Sequence, residues 1–398
     1  MKKGNLFSLD SREYRFLAVC TRPFPLKADQ LSLTRSSRFS WKRLLDLASS
    51  CQVETLLYYQ IRQRKISAPK AVMDALKERY HMVSGIQSGY FKILSRIFTD
   101  FNREGIGLVV LKGAAISRQL YPETACRSFG DIDLLIREKD LETGGKILDN
   151  TLKLALGRPD KGLLRKCIFH KLYTYPHGSQ SHLKFELHWA LFSRDSLIDY
   201  PVERLWKDPE ELEITPAVKG RSLSLTNQFL HLCWHLNAHS FTSLRDFWDL
   251  DRLVTNRKPD WEEISELAGQ YRLHNRIYHS LRLLQQMLGT ELNGRLDLFR
   301  PSGKRWFPGE VEQDGLLNRA CERQKDMRTV VELVLKDTWR SRISFLRLLA
   351  FPGACWFTIF PGEKPWKTQF LRHFLRGIRL YFFLARFFLS GSIRKLRR

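Results

Sequence analysis

Between residues 40 and 104, apolar positions recur every three or four residues in "WKRLLDLASSCQVETLLYYQIRQ" and again in "AVMDALKERYHMVSGIQSGYFKILSRIFTDFNREG", with "ISAPK" between them. That period lays an apolar stripe along one helix face, so the segment predicts helices interrupted near Pro69. The period then changes. "IGLVVL" at 106–111 is a short, partly β-branched run, and "AAISRQLY" beyond Gly113 is helix-compatible as far as Pro122. "DIDLLI" reads as the next strand and a helix follows from about Leu141; "CIFHKLYTYP" and "LKFELHWAL" read as two more strands around the turn-like "HGSQS". From about Thr226 the helical period returns in "TNQFLHLCWHLNAHS", "SLRDFWDLDRLV", "DWEEISELAGQYR" and "HNRIYHSLRLLQQML", and helices are expected to continue to the end. "LNGRLDLFRPSGKRWFPGE" is the clearest linker candidate.

Strands in the middle and helices on both sides predict an α+β fold, a small mixed β-sheet core with N- and C-terminal helical flanks. The expected organisation is a helical region at 1–104, an α/β core at 105–225, and a helical region at 226–398 ending in a basic amphipathic tail. "SFGDIDLLIR" disturbs this reading of the core, because it sets two aspartates in a run that is otherwise apolar. Residues two apart on a strand share a face, so Asp131 and Asp133 point one way and Ile132 and Leu134 the other. Paired carboxylates raise each other's pKa unless a cation lies between them, and Mg²⁺ is commonly held by one or two carboxylates together with substrate phosphates. The alternative is a strand at a sheet edge with both aspartates in water. In "LKFELHW" the same alternation sets Lys184, Glu186 and His188 on one face, which makes Glu186 a candidate third carboxylate. In "VVLKGAAISRQLY" a strand runs through Lys112 and Gly113 into a helix; the glycine admits close backbone approach and the helix start offers free N–H groups to a phosphate.

Charge changes the picture in one place. Lys and Arg exceed Asp and Glu by 66 to 42, which favours polyanions or anionic lipid as partners. From Arg340 onward thirteen basic residues face a single acid, Glu363, so the aromatic, basic C-terminus is a candidate for contact with nucleic acid or an anionic membrane, or else a docked amphipathic helix. The seven cysteines form no C-x-x-C pair, which argues against a disulfide framework or a zinc ribbon and for a reducing, cytoplasmic setting. Asp10, Arg12 and Glu13 interrupt any signal-like stretch at the start. "GIRLYFFLARFFLSG" carries two arginines and falls short of the ~20 apolar residues of a spanning helix, leaving peripheral membrane contact open.

These segments resemble the nucleotidyltransferase superfamily with the polymerase-β-like fold, whose pattern is a glycine at a strand-to-helix turn, a D-x-D on the next strand and an acid on a later one. More closely, "LKGAAISRQLYPETACRSFGDIDLLI", "FELHWAL" and "HLCWHLNAHSFTSLRDFWDLDRLV" are similar to a group of uncharacterised nucleotidyltransferases. The resemblance implies that Asp131, Asp133 and Glu186 bind catalytic Mg²⁺ (or Mn²⁺) for two-metal transfer of a nucleoside monophosphate from an NTP, with ATP the expected donor. It further implies that Lys112, Gly113 and Arg127 meet the nucleotide; for Arg127 an ordinary ion pair is the alternative. The superfamily's Gly-Ser or Gly-Gly at the first turn is Lys112-Gly113 here, so the serine contact is missing. His188, His235 and His239 are candidates to touch substrate or to orient the carboxylates. His231, His235 and His239 fall on one helix face, but no carboxylate or cysteine stands at a zinc spacing, and a cleft-lining or aromatic-packed face suffices. Arg245, Asp246 and Asp249 read as an intrahelical ion-pair set, or with one aspartate facing the cleft. The acceptor is left open among protein, RNA and small molecules. Two other readings of the same residues are a non-catalytic binding protein that retains the fold and a phosphotransferase using the same metals.

Overall fold

Capping residues and prolines set the boundaries of the N-terminal helices in the computed structural model, which describes residues 9–152, 154–155, 170–177, 181–191, 198, 200–300, 331–333 and 335–350. Helix α1 (Arg12–Cys20) is capped by Ser11, whose hydroxyl accepts from the Tyr14 amide, and is followed by the short α2 (Ala28–Ser32). Helix α3 (Trp41–Cys51) opens on Ser40 and closes on Gln52 in the left-handed region at φ 58. Helices α4 (Glu54–Gln63) and α5 (Lys70–Arg103) are separated where Pro69 stands at the start of α5. Along the 34 residues of α5, Val72, Leu76, Tyr80, Val83, Tyr90, Leu94, Ile97 and Phe101 form the buried stripe the sequence predicts. Fully buried members such as Leu94, Ile97 and Phe101 each contribute about 1.5–3 kcal/mol of apolar transfer.

Among the described residues the sheet has seven strands: β1 (Leu108–Val110), β2 (Ile132–Ile136), β3 (Leu154–Ala155), β4 (His170–His177), β5 (Ser181–His188), β6 (Glu210–Thr215) and β7 (Val218–Ser222), in the order β3-β4-β5-β2-β1-β7-β6. Strand β2 runs antiparallel to β1 and parallel to β5, so the sheet is mixed. Helices α6 (Lys112–Gln119) and α7 (Leu141–Leu152) follow β1 and β2. The sheet is wider than the four strands expected. The β6–β7 hairpin was missed although Leu212 and Ile214 alternate inward with Glu211 and Glu213 outward, and β3 is only two residues long. Five of the seven strands lie beyond the two that carry the aspartates and Glu186, and they bury β2 in the middle of the sheet.

Both sheet faces are covered. Ile132, Leu134, Ile136, Phe185 and Leu187 pack with α7 and the second half of α5. Val109, Leu111, Leu135 and Leu223 belong to the other core, which joins the N-terminal helices to α8 (Leu225–Ala238), α9 (Arg245–Asn256), α10 (Trp261–Tyr271) and α11 (His274–Leu288). The helical flanks therefore share one core over the face of the sheet to which Asp133 belongs. The linker candidate begins with a short 3-10 turn at Arg295–Phe299 whose Phe299 is buried, and its remainder from 301 lies outside the described residues. Helix α12 (Trp339–Ala350) is the last among the described residues, and the basic tail from 351 lies outside them. Among the described residues no helix is long and apolar enough to cross a membrane.

Candidate active site

The turn that delivers the aspartates is fixed from three sides. From α5, Gln87 Nε2 donates to the Arg127 carbonyl at 2.7 Å and the Tyr90 hydroxyl donates to the Gly130 carbonyl at 2.6 Å. From α9, Arg245 donates to the Ser128 carbonyl at 2.8 Å. Tyr90 Oη also accepts from the Lys184 amide at 3.0 Å, which ties the aspartate turn to the strand carrying Glu186. Gly113 is needed for close approach here, because a Cβ at that position would lie 2.7 Å from Arg127 Nη1 and 2.9 Å from Phe129 Cβ.

The register of β2 against β5 makes Asp133 and Glu186 lateral neighbours. Asp133 is 3% exposed on a central strand, which disposes of the sheet-edge alternative. Its Oδ2 meets Lys112 Nζ at 3.2 Å and its Oδ1 meets His188 Nε2 at 2.9 Å. The same His188 nitrogen lies 3.2 Å from Glu186 Oε2. Burial pushes the Asp133 carboxyl up, but the Lys112 charge and the His188 hydrogen bond outweigh it and hold the group well below the usual carboxylate range. Glu186 is lowered chiefly by its hydrogen bond to His188, against burial. His188 is raised: burial opposes its charge, and the two carboxylates more than compensate. Asp131 is the group left out of this balance. Burial and the neighbouring Asp133 push its carboxyl up, with Lys112 and the more distant Arg127 only partly offsetting them. That unrelieved repulsion is the observation that fits a divalent cation, since a dication between Asp131 and Asp133 would remove it.

Lys112 itself has a strained backbone. Its φ is 36, a region costing a non-glycine residue about 1–3 kcal/mol, and the contact with Asp133 helps to hold it there.

Arg127 forms the buried ion pair that stands as the alternative to a nucleotide contact. Its Nε lies 3.1 Å and its Nη2 2.6 Å from Asp249 Oδ2, and Asp249 Oδ1 also accepts from the Tyr121 hydroxyl at 2.7 Å. Both charged side chains are buried, so the guanidinium braces the turn against α9. Asp249 is thus engaged across the fold, and Asp246 meets His235 Nδ1 at 2.7 Å while keeping an ion pair with its helix neighbour Arg245 at 3.8 Å. The His235 and His239 rings stand 4.5 Å apart. His231 is buried and its imidazole is held neutral by burial and by the nearby Lys112 charge. Its Nε2 makes no hydrogen bond, and its ring stacks on Trp234 at 6.1 Å.

Among the described residues one group has the composition and proximity of a metal site with nitrogen donors: His170, Glu186 and His188, with one ligand atom from each within 4.8 Å of the others. His170 was missed as a site residue. The hairpin register could have found it, because pairing His177 with Ser181 carries His170 opposite His188. A cleft of about 620 Å³ lined by Phe98, Ile106, Arg137 and Arg221 lies at the opposite end of β1 and β7 from Lys112, away from all three carboxylates; the candidate site is therefore defined by the carboxylates, not by this cleft.

A family model described as uncharacterised nucleotidyltransferase matches residues 37–289, which takes in α3 through the end of α11 and the whole sheet. No curated protein matches the chain.

Proposed function

We infer the activity from family membership and site chemistry together: the chain belongs to the uncharacterised nucleotidyltransferase family, and we propose that it transfers a nucleoside monophosphate from an NTP, ATP first, to an acceptor among proteins, RNA and small molecules. The observation that carries this reading is the pairing of Asp133 with Glu186 on neighbouring strands, with Asp131 at the residue before β2 and its carboxyl pushed up by burial and by the adjacent Asp133 charge, which a dication would offset. Asp131, Asp133 and Glu186 would hold Mg²⁺ or Mn²⁺. When bound, such ions neutralise the triphosphate and polarise the acceptor oxygen.

The chain's own residues supply the rest. Lys112, already against Asp133, adds positive charge where the triphosphate would lie. Gly113 lets the start of α6 lie against Arg127 and Phe129, and the free N–H groups of that helix start would be offered to a phosphate. Glu186, partly exposed and below the usual carboxylate range, is ionised at neutral pH and able to accept the acceptor's proton. His188 orients Asp133 and Glu186 through one nitrogen. On this reading the catalytic unit is 105–225, with 1–104 and 226–398 as helical framework. The framework also offers an outward stripe of Trp339, Ile343 and Leu346 on α12, flanked by Arg340 and Arg347; together with the basic tail it supports contact between a cytoplasmic protein and an anionic membrane surface.

Incubating the protein with each α-labelled NTP, Mg²⁺ or Mn²⁺ and cell extract tests the proposal. Label should enter one acceptor fraction and vanish with Asp131→Asn. Transfer of γ-label alone would make the protein a phosphotransferase, and no transfer from any NTP would leave a binding protein.

A further inference from the structure

The hairpin β4–β5 sets two imidazoles beside a carboxylate that the transferase reading uses for a different ion. His170 and His188 are directly opposed in the antiparallel register, their rings 5.1 Å apart, and Glu186 lies on the same face two residues before His188 on β5. His188 Nε2 is 3.2 Å and His170 Nε2 4.0 Å from the same oxygen, Glu186 Oε2. The three ligand atoms fall within 4.8 Å of one another, so modest side-chain rotations would bring all three to the ~2.0–2.2 Å bonds that zinc makes with nitrogen and carboxylate oxygen.

Donor chemistry separates this position from the aspartates. Asp131 and Asp133 offer only carboxylate oxygen, the donor preferred by Mg²⁺. Two imidazoles and one carboxylate are a donor set that zinc takes with an open fourth position, and imidazole discriminates against Mg²⁺ in favour of later transition ions. We propose that His170, Glu186 and His188 form a second cation position selective for a zinc-class ion, adjoining the Mg²⁺ position at Asp131 and Asp133 and sharing Glu186 with it. Its open coordination position lies on the side of the sheet where Asp133 stands, which suits it to hold the acceptor oxygen. That role rests on the transferase reading; the existence of the binding position does not.

The geometry also accounts for the exposure of the three ligands. His188 is 6% exposed, while His170 and Glu186 are 36% and 26% exposed at the side chain, so the position is buried on one side and accessible on the other. Such a half-open arrangement is what an ion that must meet a substrate requires.

Cobalt(II) serves as the probe on the full, metal-stripped chain, read by its visible d–d absorption and by equilibrium titration. The expected result is one equivalent of Co²⁺ with imidazole-type bands, displaced by Zn²⁺ but not by a large excess of Mg²⁺. His170→Ala should weaken this binding on the order of a hundredfold, and Asp131→Asn should leave it within a fewfold. His170→Gln provides a second variant that keeps side-chain volume on the strand, with far-UV circular dichroism confirming the fold of both. Co²⁺ binding unchanged in both His170 variants, or displaced equally by Mg²⁺, overturns the proposal. Failure of NTP transfer with intact, His170-dependent Co²⁺ binding would sink the transferase reading and leave this one standing; the reverse pattern would do the opposite.

Discussion

Replacing Arg127 with Met is the sharpest test of how the site is held together. The guanidinium is 4% exposed and its partner Asp249 0%, with contacts of 2.6 and 3.1 Å to one carboxylate oxygen. Removing the cation leaves Asp249 buried with the Tyr121 hydroxyl at 2.7 Å. Breaking a buried pair from one side costs about 3–5 kcal/mol, because the remaining charge has lost its partner in a medium that solvates it poorly. For a chain of this size the urea m-value is near the upper end, about 3 kcal/mol per molar, so the unfolding midpoint should fall by roughly 1–1.7 M. Arg127→Met/Asp249→Leu should recover much of the loss, since an apolar pair of similar volume is often as stable as the ions it replaces. Tryptophan fluorescence against urea reads the stability, and equilibrium binding of an NTP is measured on the same samples. A shift below roughly 0.3 M in Arg127→Met, combined with weakened NTP binding that the double variant does not restore, would refute the bracing role and return Arg127 to the nucleotide.

The two aspartates should part company in metal-free buffer. Asp131→Asn removes a group whose folded pKa is raised, so it should stabilise the protein at pH 7, and the gain should fade as the pH falls through that raised value and wild-type Asp131 takes up its proton. Asp133→Asn strips the charged partner from Lys112 and His188 and should cost about 1.5–3 kcal/mol in thermal or urea unfolding; both variants should lose transfer, and stabilisation by Asp133→Asn would contradict the charge balance described. Gly113→Ala should cost about 1–3 kcal/mol by overpacking against Arg127 and Phe129, read as a lowered midpoint, whereas a neutral result would show that the turn has room to give. Glu186→Gln should lower kcat about a hundredfold or more while NTP binding survives, and lost binding with normal turnover of bound substrate would reassign it. Trp339→Ala/Ile343→Ser should reduce co-sedimentation with phosphatidylserine vesicles but not with phosphatidylcholine vesicles, and the wild-type binding should weaken with salt; equal binding by the variant would remove the α12 stripe from the membrane contact.

What could be read from the chain divides by distance along it. Asp131 and Asp133 were legible because a strand's two-residue period fixes their common side whatever the rest of the fold does, and Lys184, Glu186 and His188 were legible for the same reason. A period says which face a side chain takes, not which strand lies beside it. That Asp133 neighbours Glu186 follows from a parallel pairing across 53 positions, and the motif resemblance supplied it where the residues alone did not. His170 stood nearer to hand: the hairpin that joins β4 to β5 is local, and counting pairs back from His177 and Ser181 reaches His170 opposite His188. Arg127 shows the limit most clearly. Its neighbours in sequence suggest an exposed cation beside a D-x-D motif, and only the arrival of α9, 122 positions later, makes it a buried brace. The ion-pair set read within "SLRDFWDLDRLV" is found only in part, since Arg245 pairs with Asp246 at 3.8 Å but the stronger partners lie elsewhere. Charges three or four apart on a helix can pair with one another, but on a helix whose two faces are both buried they are drawn to whichever opposite charge is buried with them, and Asp246 and Asp249 found His235 and Arg127. The candidate acids were therefore readable as a strand pattern, whereas the groups that set their charge state belong to the packing, and it is those groups that decide whether Asp131 or Asp133 carries the unmet charge a cation would answer.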